Sequence, residues 1–381
     1  MYLDANATTP VAPEALDAML PWLRGGHENP SAGHSGGKRA REAIERARGQ
    51  VAALIGAEPG EIIFTGSGTE SVNTAILSMH RLCGPGHALV SSIEHSAVLR
   101  GAAATGREVV EIPCLADGRV DVDAAQELMR GAAFVSLMTA NNETGVIQPL
   151  AEIAALAREA GLPVHTDAVQ AAGKIPLDVR DPAVEMLSVA AHKFYGPKGV
   201  GALFVRRKLR FEPMLHGGGQ EQGRRSGTEN TPGIVGMGAA AELAASRMPD
   251  AAARDAFEAA VNSGLDGVTL NGATAPRLPN TSHLSLDGCD AGGMLILLDE
   301  AGVACSAGSA CMTGKSNPSH VQLAMGIPEA RARTSLRVSF PRDATAETGA
   351  AAAEAVIAAA SKLRRVQGHG VGPVSVYPVA G

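Results

Sequence analysis

With 381 residues, 45% of them hydrophobic and 19% charged, the chain is long enough for two packed domains and too apolar for disorder. Its net charge of -6 and 3% aromatic content argue against a surface built for phosphate backbones or stacked bases, so no nucleic-acid partner is expected. No stretch reaches the ~18 apolar residues of a membrane span, MYLDANATTP carries no secretory pattern, and the five cysteines form no C-x-x-C pair. These features predict a cytoplasmic protein with neither a disulfide framework nor a zinc site.

In chain order, EIIFT (61–65), HALVSSIE (87–94), FVSLMTA (134–140), LPVHTDA (162–168), MLSVAA (186–191) and VGALFVRR (200–207) read as strands. Helical patterns over 38–55, 122–130 and 151–160 alternate with them, which predicts an α/β layer with a mostly parallel sheet. From about residue 255 the texture changes to a helix, the strands HLSLDG and TSLRVSF, and an Ala-rich helix over 344–364. The division expected is a large domain over 14–255, with 1–13 and 256–381 forming a smaller α+β domain. The Gly/Pro-rich GHGVGPVSVYPVAG reads as an extended tail.

Three segments carry chemistry. EIIFTGSGTESVNTAIL is a strand, a small-residue turn and a helix; the turn is either an anion site at a helix N-terminus or an ordinary connection. It lacks the third glycine of a dinucleotide fingerprint. VHTDAVQAAGK places Asp167 and Gln170 just beyond a strand, where an acid is a helix cap or a ligand contact. A carboxylate there suits the pyridine nitrogen of pyridoxal phosphate (PLP). AAHKFYGPKGVGALFV sets His192 and Lys193 at another strand end, before a tight Gly-Pro-Lys-Gly turn. A lysine is ordinarily a solvated charge, and a strand end inside a cleft supplies the desolvation that makes its amine nucleophilic.

Together with LDANATTP, IEHSAVL, ANNETGVIQP, RRSGTEN and SAGSACMTG, these segments resemble the cysteine desulfurases, and within them the NifS/IscS group. The motifs span residues 2 to about 340. The resemblance implies a fold-type I PLP-dependent transferase of the class V aminotransferase-like kind, whose large domain holds a mostly parallel seven-stranded sheet. It implies conversion of L-cysteine to L-alanine, with the sulfur passing to Cys311 as a persulfide and then to an iron–sulfur scaffold or another thiol acceptor. The tail from LRRV to YPVAG is similar to nitrogenase-associated members, which extends the expectation to nitrogen fixation.

By the same resemblance, Lys193 carries PLP as a Schiff base and moves the proton at the substrate Cα. Asp167 pairs with the ring nitrogen, Gln170 bonds the ring hydroxyl, and His95 stacks on the ring and acts as acid or base. Gly68 and Thr69 hold the phosphate with His192 beside it, and Thr228 reaches the phosphate of the partner subunit in a homodimer. Asn142 and Arg337 bind the substrate carboxylate; an Arg fork suits a carboxylate through paired charge-assisted bonds. Ala190 stands where many relatives carry a hydroxyl, so one phosphate bond is absent, at a cost on the order of 1 kcal/mol.

VACSAGSACMTGKSNPSH contains two cysteines. The family pattern selects Cys311, in a Gly/Ser/Ala-rich loop, and the same cysteine is a candidate iron–sulfur ligand shared with a scaffold. Cys305, nearer the preceding strand, reads as a small buried hydrophobe. Asn317-Pro318 read as the start of the next helix. GSACMTGKS resembles a nucleotide P-loop but has five residues between its glycines where four are required. Two other readings remain: a selenocysteine lyase or related class V aminotransferase-like PLP enzyme, and a non-catalytic partner of an iron–sulfur scaffold.

Overall fold

The computed structural model describes residues 1–181, 184–307 and 318–367. Its larger sheet contains β1 (Ile62–Thr65), β2 (His87–Ser91), β3 (Val109–Ile112), β4 (Ala132–Ser136), β5 (Val164–Asp167), β6 (Met186–Ala190) and β7 (Gly201–Val205). The strand order is β1-β7-β6-β5-β4-β2-β3; β7 is antiparallel to both its neighbours and every other pairing is parallel. This is the expected mostly parallel seven-stranded sheet.

Strands β1, β4, β5, β6 and β7 are buried along their whole length. Both faces are covered, which is why these strands lack alternating polarity. Alternate residues serve two cores: Ile62 and Phe64 join one cluster, Ile63 the other. The first cluster packs against α1 (Pro13–Arg24), α2 (Ser35–Leu54) and α7 (Thr231–Ser246), and the second against α3 (Gly68–Leu82) and α4 (Ser96–Ala104). Helices α5 (Val122–Leu128) and α6 (Leu150–Glu159) link successive strands.

A second sheet has the antiparallel order β10 (Ser335–Ser339), β9 (Thr281–Leu286), β8 (Val268–Leu270). With α8 (Ala252–Gly264), α9 (Ala291–Glu300) and α12 (Ala346–Gln367) it encloses a separate core. There Phe257 and Phe340 meet edge to face at 5.8 Å. The short helices α10 (His320–Ala324) and α11 (Glu329–Ala332) precede β10. Residues near the chain start join this core: Leu3 is buried in it, and Asp4 bridges Ser339 of β10.

Three sequence-based expectations are corrected. β3 and β8 were not foreseen. β2 ends at Ser91, so Ser92, Ile93 and Glu94 lie in the connection to α4 rather than within the strand. α10 starts at His320, not at Pro318, because the Ser319 hydroxyl accepts the N–H of Val321 and caps the helix there. The tail over 368–381 lies outside the described residues.

Candidate active site

The predicted residues gather beyond the C-terminal ends of parallel strands, where open α/β sheets bind ligands. Asp167 ends β5, Lys193 follows β6 by three residues, Asn142 follows β4 and His95 follows β2. At the other side, α3 begins at Gly68 with Ser67 as its cap: the Ser67 hydroxyl accepts Glu70 N–H at 3.1 Å. Two glycines bring this helix start against the sheet. A Cβ on Gly68 would lie 3.2 Å from that of Ala190, and one on Gly201 would lie 2.6 Å from the Ser67 carbonyl carbon. Gly68 is buried while Thr69 is exposed, so the helix start presents its N–H groups at the cleft edge.

Lys193 is half-buried, and its Nζ donates to the carbonyls of Asn6 at 2.6 Å and Ala7 at 2.8 Å. Two residues later Tyr195 adopts φ 70°, a left-handed conformation that costs about 1–2 kcal/mol for a side-chain-bearing residue. The turn is held by Tyr195 N–H donating to Thr9 Oγ1 at 2.8 Å and by Arg342 stacked 4.4 Å over the ring. Strain is thus stored directly behind Lys193 and offset by neighbours.

Burial and neighbouring charges shift the titratable groups here. Burial pushes the Asp167 carboxyl up, opposed by the Val169 N–H bonded to Oδ1 at 2.9 Å and by the charges of His95 and Lys193. A buried carboxylate in this state gains from a cationic ring nitrogen. Burial pulls His95 down, with Asp167 opposing it and Lys193 and His320 adding to it. Its Nδ1 accepts Ala97 N–H at 3.1 Å, so the neutral ring carries its proton on Nε2. His192 is held at about 4, chiefly by burial, and its Nδ1 lies 3.1 Å from Thr8 Oγ1.

Arg337 is 1% exposed. Its Nη2 donates to Asp4 Oδ1 at 2.7 Å and its Nη1 to the Asn142 carbonyl at 2.9 Å. Its Nε is buried with no partner among the described residues, an unmet donor that fits a substrate carboxylate. Asn142 therefore contributes its carbonyl to positioning Arg337, a contact not foreseen from sequence.

Not every predicted residue joins the cluster. Thr228 is exposed on a loop and bonds to none of the others. That loop is fixed from below by Arg225, which pairs with Glu70 at 2.8 Å, and by Glu221, which pairs with Arg48 at 2.7 Å. Cys311 lies outside the described residues. Cys305 is half-buried, packs on the small-sheet core, and is pushed up to about 12 by burial.

The largest omission from the sequence reading is the floor of the site, made by residues 4–9. Asn6 accepts Lys193 and Gln170 on its carbonyl, and its Nδ2 donates to Thr281 Oγ1 at 2.9 Å. Lys174, buried four residues beyond Gln170, donates to Gln170 Oε1 and Asn6 Oδ1. The i, i+4 spacing in QAAGK was the available signal.

The aminotransferase class-V family pattern matches residues 1–348. The chain belongs to this family. Class-V members similar to it include a cysteine desulfurase of Gluconacetobacter diazotrophicus, 44% identical over 357 residues, covering 91% of this chain and 89% of that protein. Among solved structures, a NifS-like protein has a TM-score of 0.83 at 33% identity over 96% of this chain and 98% of its own. SspA in complex with cysteine has a TM-score of 0.80 at 37% identity, over 90% and 99%. This class-V chain is accordingly a PLP-dependent cysteine desulfurase of fold type I. The buried Asp167, the adjacent His95 and Lys193, and the glycine-backed start of α3 fit PLP. Among the described residues no group of three or more His, Cys, Asp or Glu could hold a metal, and no helix is long and apolar enough to cross a membrane.

Proposed function

We propose that Lys193 holds PLP, that Arg337 and Asn142 receive the carboxylate of L-cysteine, and that Cys311 takes its sulfur. The unmet Arg337 Nε, buried beside the Lys193 cluster, is the observation that carries this reading. Asp167 would pair with the ring nitrogen and favour its protonated form, and Gln170 would hydrogen-bond the ring hydroxyl. Gly68 and Thr69 hold the phosphate, with His192 beside them. PLP supplies an electron sink for the bond broken at the substrate Cα. Lys193 would take the Cα proton, and neutral His95 would face the ring with its Nε2–H available to the substrate thiol. The Cys311 thiolate attacks the substrate sulfur, the carbon–sulfur bond breaks with its electron pair on carbon, and protonation of the three-carbon product gives L-alanine. Cys311 keeps the sulfur as a persulfide.

The acceptor in this proposal is an iron–sulfur scaffold or another thiol protein, with nitrogenase maturation one destination and Cys311 a shared iron ligand during transfer. The compartment is the cytoplasm, where thiols stay reduced. The enzyme acts as a homodimer in which exposed Thr228 reaches the partner subunit's phosphate; the Arg225–Glu70 and Arg48–Glu221 anchors hold its loop outward. The chain divides into a large PLP-binding domain over 14–255 and a small domain formed by 1–13 and 256–381. Two separate cores support that division, although α8, which packs in the smaller one, already starts at Ala252.

The test is sulfide and alanine release from L-cysteine under reducing conditions, comparing wild type, Cys311→Ala and Lys193→Ala. Equal amounts from wild type and none from either variant are expected. Sulfide release that survives Cys311→Ala would favour a lyase without a persulfide, and no alanine from wild type would overturn the substrate assignment.

A further inference from the structure

Lys174 is a second lysine in the site, and the mechanism above leaves it unused. It is 6% exposed, and burial holds its amine well below the usual lysine range, with the Lys193 and Arg337 charges adding to the shift. Among the described residues no carboxylate is bonded to it. It donates to two amide oxygens, Gln170 Oε1 at 2.7 Å and Asn6 Oδ1 at 2.8 Å. A buried amine without a counter-charge is expensive to maintain, so its position calls for a reason.

The hydrogen bonds supply one. A glutamine amide has an acceptor end and a donor end, and rotating it by half a turn exchanges them. Gln170 Oε1 faces an amine that can only donate to it, while Gln170 Nε2 faces the Asn6 carbonyl at 2.9 Å, which can only accept. Only one orientation satisfies both partners. Asn6 is fixed in the same way: Oδ1 takes Lys174, and Nδ2 donates to Thr281 Oγ1 and to the Asn142 carbonyl. The Asn6 carbonyl that receives Gln170 also receives Lys193 Nζ.

We propose that Lys174 is a positioning residue that locks the Gln170 amide with its N–H2 end toward the cofactor and, through Asn6, fixes the floor under Lys193. This role rests on the assignment of PLP to Lys193 and of Gln170 to the ring hydroxyl. An N–H donated to the ring oxygen stabilises the negative charge on that oxygen. Without Lys174 only the Asn6 carbonyl still selects the amide orientation, so the flipped state, with its oxygen toward the ring, is less disfavoured. The charge on the ring oxygen is then less stabilised, and the Schiff-base nitrogen would bind its proton more tightly.

The experiment is a pH titration of the visible absorbance band of the PLP-loaded full-length protein, with release of PLP measured alongside. Lys174→Met removes the donors while keeping a similar length. The titration midpoint is expected to rise by about one unit, and PLP to leave several-fold faster. Gln170→Leu should give a similar rise. The double variant should exceed neither single variant, because both act on one contact. Lys174→Leu replaces Lys174→Met if the latter does not fold. An unchanged midpoint in a folded variant, or shifts that add in the double variant, would overturn the role. A wild-type protein that forms no titrating band with PLP would instead sink the cofactor assignment itself, a result distinct from a band that ignores Lys174.

Discussion

Arg48 and Arg337 are both almost fully buried, at 4% and 1% exposure, and are treated oppositely by their surroundings. Arg48 is saturated: Glu221 takes two of its nitrogens, Glu45 takes Nε, and the Ile62 carbonyl takes a further bond. Arg337 has one bond to a carboxylate, one to a carbonyl, and a buried Nε left unmet. The protein bears the desolvation of both guanidiniums but completes only one shell. A closed shell holds a loop in place; an open one leaves a buried donor unmet among the described residues.

That contrast can be broken in several ways. The largest effect is expected from Arg337→Leu, which should lower kcat/KM for L-cysteine about a thousandfold, or ~4 kcal/mol, mostly through KM. Its melting temperature should fall less than that of Arg48→Leu, because the carboxylate it leaves unpaired, Asp4, is 18% exposed where Glu221 is 3% exposed. A fall in stability with unaltered KM would make Arg337 structural after all. Arg48→Leu is expected to do the reverse, destabilising the fold by about 3 kcal/mol because Glu221 is left buried and unpaired. Urea denaturation reads this, and activity per folded molecule should stay within about threefold.

The histidines sharpen the same distinction. His165 lies between Ser136 and Ser188, 2.9 Å from each hydroxyl, and burial holds it at about 3. The unfolded chain takes up a proton near pH 6.5, and the folded ring refuses it until about 3. Lowering pH through that window therefore removes stability, with a slope approaching ~1.4 kcal/mol per unit. A His165→Gln variant should lose that part of the slope while keeping catalysis. The smallest effect is expected at the half-buried Arg225–Glu70 pair: Arg225→Ala should cost about 1 kcal/mol and speed PLP loss a few-fold, by freeing the Thr228 loop. Unchanged PLP release would detach that loop from cofactor binding.

Much of this was legible in the sequence, for reasons particular residues show. Asp167 and Lys193 were readable because each follows a strand-like apolar run; His95 and Arg337 were reached only through the resemblance, with the strand-like TSLRVSF around Arg337 arguing against a surface ion pair. β3 escaped because Val109–Ile112 sits at the sheet edge, half-exposed and interrupted by Glu111. β8 has three residues, all half-buried, and offers no period to detect. The floor at residues 6–7 was hidden for a different reason: it acts through backbone carbonyls, which every residue possesses and no side-chain pattern encodes. Lys174 was in view as the end of a motif, yet its value lies in what it bonds rather than in its own reactivity.

Asn6 also sets an order in time. Its backbone N–H is held by Ser339 Oγ at 3.0 Å, and its side chain by Asn280 and Thr281 as well as by Lys174. Residues 4–9 leave the ribosome early, but their anchor on β10 is not synthesised until residue 339. The Lys193 turn and the strands around it can be in place long before then and still lack a floor. A nascent chain stalled short of β10 would thus hold its larger sheet over an unfinished floor, and the site is completed only once Ser339 has been made.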